Sequence, residues 1–156
     1  MLYTTKSIAP VSESLQASGK KITLVTGFFD LLHQEHITFL QKAKAIGDLL
    51  IVGVESDARA LAVKGEGRPI ESQELRCQKV GVYADYVIAL PDDFDHQEAY
   101  KALLRAIRPH IYAVSSHTSY LENKAKLVKK YGGELVVVHD WNPDVSTTQI
   151  IKNSSI

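Results

Sequence analysis

Two histidines three residues apart, His33 and His36, close the stretch GFFDLLHQEH (27–36), directly after the apolar run ITLVT (22–26). On a first helical turn, side chains at that spacing can point the same way. Three chemistries fit them. A helix N-terminus offers unpaired N–H groups and a positive dipole end, so the turn could hold a phosphate. The imidazoles would then stabilise charge growing on it in a transition state, and Gly27 would let backbone approach it closely. A metal centre is the second. HxxH supplies only two ligands where a catalytic zinc normally takes three from protein, and the spacing matches neither HExxH nor HxxEH. The third is a polar cap on a helix, the commoner fate of an isolated HxxH. Spacing alone leaves phosphate binding and packing open.

Position is set by the elements around the turn. Nearly continuous Val- and Ile-rich runs at 22–26, 49–54, 86–90, 111–115 and 134–139 read as strands buried on both faces. Helical patterns separate them at 35–46, 71–82, 96–107 and 119–131, with Gly47 and Gly132–Gly133 as stop signals. The alternation predicts an α/β domain: a doubly wound, five-stranded parallel sheet in three α/β/α layers, with right-handed crossovers. Ligands of such sheets bind beyond the strands' carboxyl ends, where strand order reverses. Residues 1–20 read as a helical extension, with Pro10 near its start and Gly19 near its end, and 21–156 as one domain. The polar, glycine-rich VKGEGRPIES (63–72) reads as a mobile loop.

The chain has 156 residues, with 18 Lys+Arg balanced by 18 Asp+Glu. A zero net charge argues against a nucleic-acid partner, which would call for a basic excess. The single cysteine, Cys77, excludes an internal disulfide or a cysteine-rich metal cluster and fits a reducing compartment. No signal peptide or bilayer span is evident, so the expected location is cytoplasmic, with no membrane partner.

Read whole, VTGFFDLLHQEHITFLQKAKAIGDLLIVGVESD (25–57) resembles the cytidylyltransferase-like nucleotidyltransferases. Their first strand-to-helix turn carries GxFDxxHxGH, followed by a helix ending near AKxxGD and a strand ending in SD. KGEGRPI (64–70), the helix carrying Glu74 and Arg76, and STTQI (146–150) extend the resemblance over most of residues 20–152. The likeness is greatest to the heptose-1-phosphate adenylyltransferase domain. Glycerol-3-phosphate cytidylyltransferases and archaeal-type FAD synthases are similar.

The resemblance implies transfer of a nucleoside monophosphate from ATP or CTP to a phosphorylated small-molecule acceptor, with Mg2+ on the phosphates, and a homodimer. Such chemistry needs alignment and charge neutralisation more than a protein nucleophile. By position, His33 and His36 would stabilise the pentavalent α-phosphate, and Lys44 would reach the phosphates from the same helix. Ser146, Thr147 and Thr148 would hold the β and γ phosphates. Gly27, Phe28 and Phe29 would contact the nucleotide through backbone, with Asp30 near the turn. Lys64, Arg68 and Arg76 would meet phosphate or acceptor, alongside Asp57. Read singly, Lys44 is a solvated helix lysine, Ser146–Thr148 an N-cap and Asp57 a helix cap.

Three features depart from the family pattern. Glu35 replaces the glycine of HxGH, bringing bulk and like charge toward a triphosphate. VSSHTSY (114–120) lacks the glycine-aspartate element that follows the fourth strand in relatives, and could recruit Ser115, Ser116 and His117 as contacts. NPDVSTT (142–148) has Asp144 where relatives have Gly, often after an Arg. Beside the transferase stand a non-catalytic nucleotide-binding module and, should His33, His36 and His117 converge on a metal, a phosphohydrolase.

Overall fold

The computed structural model describes residues 2–140 and 150–151. Its parallel sheet runs in the order β1-β4-β3-β2-β5-β6, formed by β1 (Leu2–Tyr3), β2 (Ile22–Gly27), β3 (Leu49–Val54), β4 (Tyr86–Ala89), β5 (Ile111–Ser115) and β6 (Glu134–His139). The helices are α1 (Thr5–Ala17), α2 (Gln34–Ala45), α3 (Asp57–Lys64), α4 (Gln73–Val80), α5 (Gln97–Ile107) and α6 (Leu121–Lys130). The sheet has six strands rather than the expected five. The extra one, β1, is two residues long and pairs with Val87 and Ile88 at the edge, too short to carry a period.

Apolar side chains leave both faces of the sheet, which is why its strands read as unbroken hydrophobic runs. On one face Leu24, Ile51 and Ile88 pack with Ile8 of α1, Leu103 and Leu104 of α5 and Leu127 of α6. On the other, Val25, Val52 and Val87 meet Phe39 and Leu40 of α2 and Cys77 and Val80 of α4.

Two further expectations change. Helix α3 was hidden in DARALAVK: only Ala60 of it is buried, so it shows no apolar stripe. Its N-cap is Ser56, whose side chain accepts from Arg59 N, and not Asp57. Pro10 lies well inside α1, which starts instead from a Thr4–Ser7 capping box. That helix is sewn to α5: Gln16 Nε2 donates to Ile107 O at 2.8 Å and Arg108 O at 2.7 Å, and buried Ser12 also bonds Ile107 O. No helix among the described residues is long and apolar enough to cross a membrane.

Strand β2 has β3 on one side and β5 on the other, so strand order reverses between β2 and β5. The carboxyl ends at this reversal carry the β2–α2 turn, Glu55 and Ser115.

Candidate functional site

The β2–α2 turn is held in an unusual backbone path. Phe29 (φ 54°) and Leu31 (φ 50°) both occupy the left-handed region, a cost of about 1–2 kcal/mol per residue outside glycine. Side-chain contacts hold them there. Phe29 is buried, with its ring edge-on to His36 at 5.5 Å, and Leu31 N donates to Glu71 Oε1 at 3.0 Å. A Cβ on Gly27 would come within 3.0 Å of the Phe29 ring, so this glycine makes room for the phenylalanine. Asp30 does not line the cleft and accepts from Arg68 Nε (3.1 Å), Ile70 N (2.9 Å) and Glu71 N (3.0 Å). Those bonds anchor the far half of the 63–72 segment, which composition marked as mobile.

His33 is the N-cap of α2, and its backbone N–H donates to Nδ1 of His36 at 3.3 Å. An Nδ1 that accepts leaves the neutral ring's proton on Nε2. Burial, then His33 and Lys64, depress His36 to a pKa of about 3 against the pull of Asp30, so the ring is neutral near pH 7. The His33 ring stacks on it, centroids 3.9 Å apart, and burial lowers its pKa against the charge of Glu35. The product is a neutral Nε2–H donor at a helix N-terminus, suited to a phosphate oxygen.

A cleft of about 710 Å³ opens above the strand ends. Gly27, Phe28, Phe29, His36, Lys64, Ser115 and His117 line it, and the amine of Lys64 lies 5.7 Å from the Phe28 ring centroid. Missed by the sequence reading, Glu55, Arg59, Tyr100, Tyr112 and Lys124 also line it. Glu55 follows β3 directly, a position readable as a carboxyl end; Arg59 was lost with α3, and Tyr100 and Lys124 passed as helix surface.

Other expected contacts lie elsewhere. Lys44 occupies the last turn of α2, about 12 Å along the axis from His36, with its amine 3.4 Å from Asp85 Oδ1. The far end of the helix cannot serve the phosphates its start would bind. Arg76 is fully buried and spends its guanidinium on Glu71 O, Phe28 O, Glu55 O and Asp57 Oδ1. It is a strut under the turn, and Asp57 is its partner. Arg68 bonds Asp30, while Ser116 Oγ donates to Asp140 Oδ1 at 2.9 Å; neither lines the cleft. Ser146, Thr147 and Thr148 fall outside the described residues. Glu35 does not line the cleft either: its carboxylate bonds Nε2 of His139 at the end of β6. Among the described residues no three His, Cys, Asp or Glu cluster as a metal set, which leaves the phosphohydrolase without a described ligand shell.

A family model described as cytidylyltransferase-like matches residues 24–153. The bifunctional protein HldE of Pelobacter propionicus is 36% identical over 148 residues, 93% of this chain and 29% of that protein. HldE of Wolinella succinogenes is 46% identical over 112 residues, 70% of this chain and 23% of its own length. The chain therefore spans less than a third of these relatives. Among solved structures, the lipopolysaccharide core biosynthesis protein from Thermoplasma volcanium superimposes with a TM-score of 0.64 at 25% identity, covering 81% of this chain and 100% of that one. Pantoate-beta-alanine ligase from Francisella tularensis has the same TM-score at 14% identity, covering 99% and 77%, a likeness of fold alone.

Proposed function

The chain belongs to the cytidylyltransferase-like family, and on that footing we propose that it transfers a nucleoside monophosphate, AMP from ATP, to a sugar phosphate. An oxygen of the acceptor phosphate attacks the α-phosphorus of the nucleotide, supplied as its Mg2+ complex. The bond from that phosphorus to the bridging oxygen breaks, and pyrophosphate leaves. The observation that carries the reading is His36: a neutral imidazole, its proton on Nε2, at the start of α2 and lining the cleft. Such a donor strengthens its bond as equatorial phosphate oxygens gain charge, without a proton having to move. The Lys64 amine, which also lines the cleft, adds to the same end, and His33 supports His36 by stacking on it.

The bond from Glu35 to His139 supports catalysis over the binding-only module, because it holds the carboxylate away from the cleft. The likeness to HldE proteins favours an adenylyl donor. CTP with an alcohol phosphate such as glycerol-3-phosphate is the second reading, since neither the base nor the acceptor leaves a mark on the histidine end.

Pyrophosphate release measured over ATP and CTP, each with hexose and heptose 1-phosphates and glycerol-3-phosphate, tests the proposal. Release with ATP and an aldose phosphate is expected, and His36→Ala should lower kcat by about 10²–10³-fold. Nucleotide binding without turnover for any pair would establish the binding module instead.

A further inference from the structure

Besides the histidine turn, the same cleft carries a chemically distinct group of side chains, Glu55, Arg59, Tyr100 and Lys124. Glu55 is buried, and its backbone is fixed on both sides. Its N–H donates to Gly27 O at 2.9 Å, and its carbonyl accepts from Arg76 Nη1 at 2.9 Å. The side chain thus starts from a pinned Cα at the carboxyl end of β3, beside the end of β2. Among the described residues the one side chain bonded to its carboxylate is Arg59, whose Nε meets Oε1 at a long 3.4 Å. No described side chain bonds Oε2. Lys124 reaches in from α6, its amine 5.6 Å from the Tyr100 ring centroid.

A half-satisfied carboxylate in a cleft accepts hydrogen bonds and donates none. Hydroxyl and ammonium groups could both supply donors. The neighbours decide between them: an ammonium would lie beside the guanidinium of Arg59 and the amine of Lys124, whereas a hydroxyl pays no such repulsion. The same two cations attract an anion. One ligand class meets both demands, a phosphate ester that also carries hydroxyls.

We propose that Glu55 is the specificity-determining residue of the acceptor end, reading the hydroxyls of a polyhydroxylated phosphate ester while Arg59 and Lys124 hold its charge. This rests on the transfer reading for the word acceptor, but the binding chemistry stands apart from turnover. Acceptors lacking hydroxyls near the phosphate leave Oε2 of Glu55 desolvated without a donor, a strong form of rejection for a binding site.

Calorimetry on the full chain separates the two claims. The probes are a panel of hexose and heptose 1-phosphates, monodeoxy counterparts of the tightest binder, ethyl phosphate as the hydroxyl-free control, and ATP. The chain as it stands should bind its best aldose phosphate about tenfold to a hundredfold more tightly than ethyl phosphate, the scale of a hydrogen bond to a charged group. At least one monodeoxy analogue should lose most of that preference. In Glu55→Gln the preference should collapse while ATP affinity holds within about twofold. Lys124→Met should weaken every phosphate ester, ethyl phosphate included, and keep the hydroxyl preference. An undiminished preference in Glu55→Gln overturns the proposal. So does a chain that does not distinguish aldose phosphates from ethyl phosphate, a result needing no variant to fold. Discriminating binding without pyrophosphate release would sink the transfer reading alone, and transfer with an unchanged acceptor KM in Glu55→Gln would sink this proposal alone.

Discussion

The carboxylate of Glu35, in the first turn of α2, is hydrogen-bonded to Nε2 of His139, the last residue of β6 and 104 positions further along the chain. Lys42 completes the arrangement, its amine 3.1 Å from His139 Nδ1. An ammonium can only donate, so Nδ1 accepts and Nε2 carries the proton directed at Glu35. The residue that departs from HxGH thereby ties the start of α2 to the strand end beyond it. His139 and Glu35 are both largely buried, so Glu35→Gly should strand a buried donor and cost about 1–3 kcal/mol in urea unfolding. His139→Ala should cost a similar amount, and the double variant less than the sum of the two, because both remove one interaction.

The pH dependence of folding should carry the signature of His36. Its folded pKa of about 3 lies below the ordinary value of 6.5, mainly through burial. Between those limits the unfolded chain binds the extra proton, so stability rises with pH across the window. The contribution is complete above about pH 6.5 and falls away toward pH 3, at about 1.4 kcal/mol for each unit of depression. Replacing His36 with Gln should flatten that slope in unfolding experiments run from pH 3 to 7. Above pH 5 the transfer rate should show no inflection from His36.

Arg76 offers a clean separation of structural from ligand roles. It is fully buried and donates to three backbone carbonyls, Phe28 O and Glu55 O on either side of the turn among them. Arg76→Met should destabilise the fold by about 3 kcal/mol or more, leaving those three carbonyls without their donor. A phosphate contact would behave differently, raising the nucleotide KM with little change in Tm.

Why Arg76 misled and the strands did not is a matter of range. Runs such as LLIVGV are buried on both faces, so each residue announces the sheet by itself, and the turn after ITLVT was legible as its carboxyl edge. A buried arginine's role depends on which carbonyls tertiary folding brings to it, and Phe28 lies 48 residues away. Gly27 was legible as a close approach, but its neighbour is the Phe29 ring. Helix α3 buries only Ala60, and Arg59, the partner it brings to Glu55, was hidden with it. The Glu35 substitution was visible; its partner on β6 was not.

The two helix lysines make opposite predictions although the family pattern covers both. Lys44, half exposed beside Asp85, is a surface ion pair of the kind worth less than about 1 kcal/mol. Lys44→Ala should leave pyrophosphate release and Tm nearly unchanged. Lys64 lines the cleft beside Phe28. Lys64→Ala should lower kcat/KM about tenfold or more with little change in Tm, since a charge-assisted bond to phosphate would be lost.

Glu55 should reveal itself through stability as well as binding. Burial raises its pKa above the ordinary value of 4.5, against the opposing charges of Arg59, Lys124 and Arg76. Tyr100, neutral near pH 7 with its own pKa raised by burial and by Glu55, also faces it. A carboxyl whose folded pKa is raised binds its proton more tightly in the folded state, so stability falls as pH rises from the unfolded pKa through the folded one. Above that window the ionised group is a net cost, and below it the cost disappears. Glu55→Gln should therefore be more stable than the parent at pH 7, with the two chains converging near pH 4 in thermal unfolding. A gain in stability coupled to a loss of acceptor discrimination is the behaviour of a carboxylate kept for its ligand. If Glu55→Gln were instead destabilised at pH 7, the carboxylate would be holding the strand ends together through Arg59, a structural role.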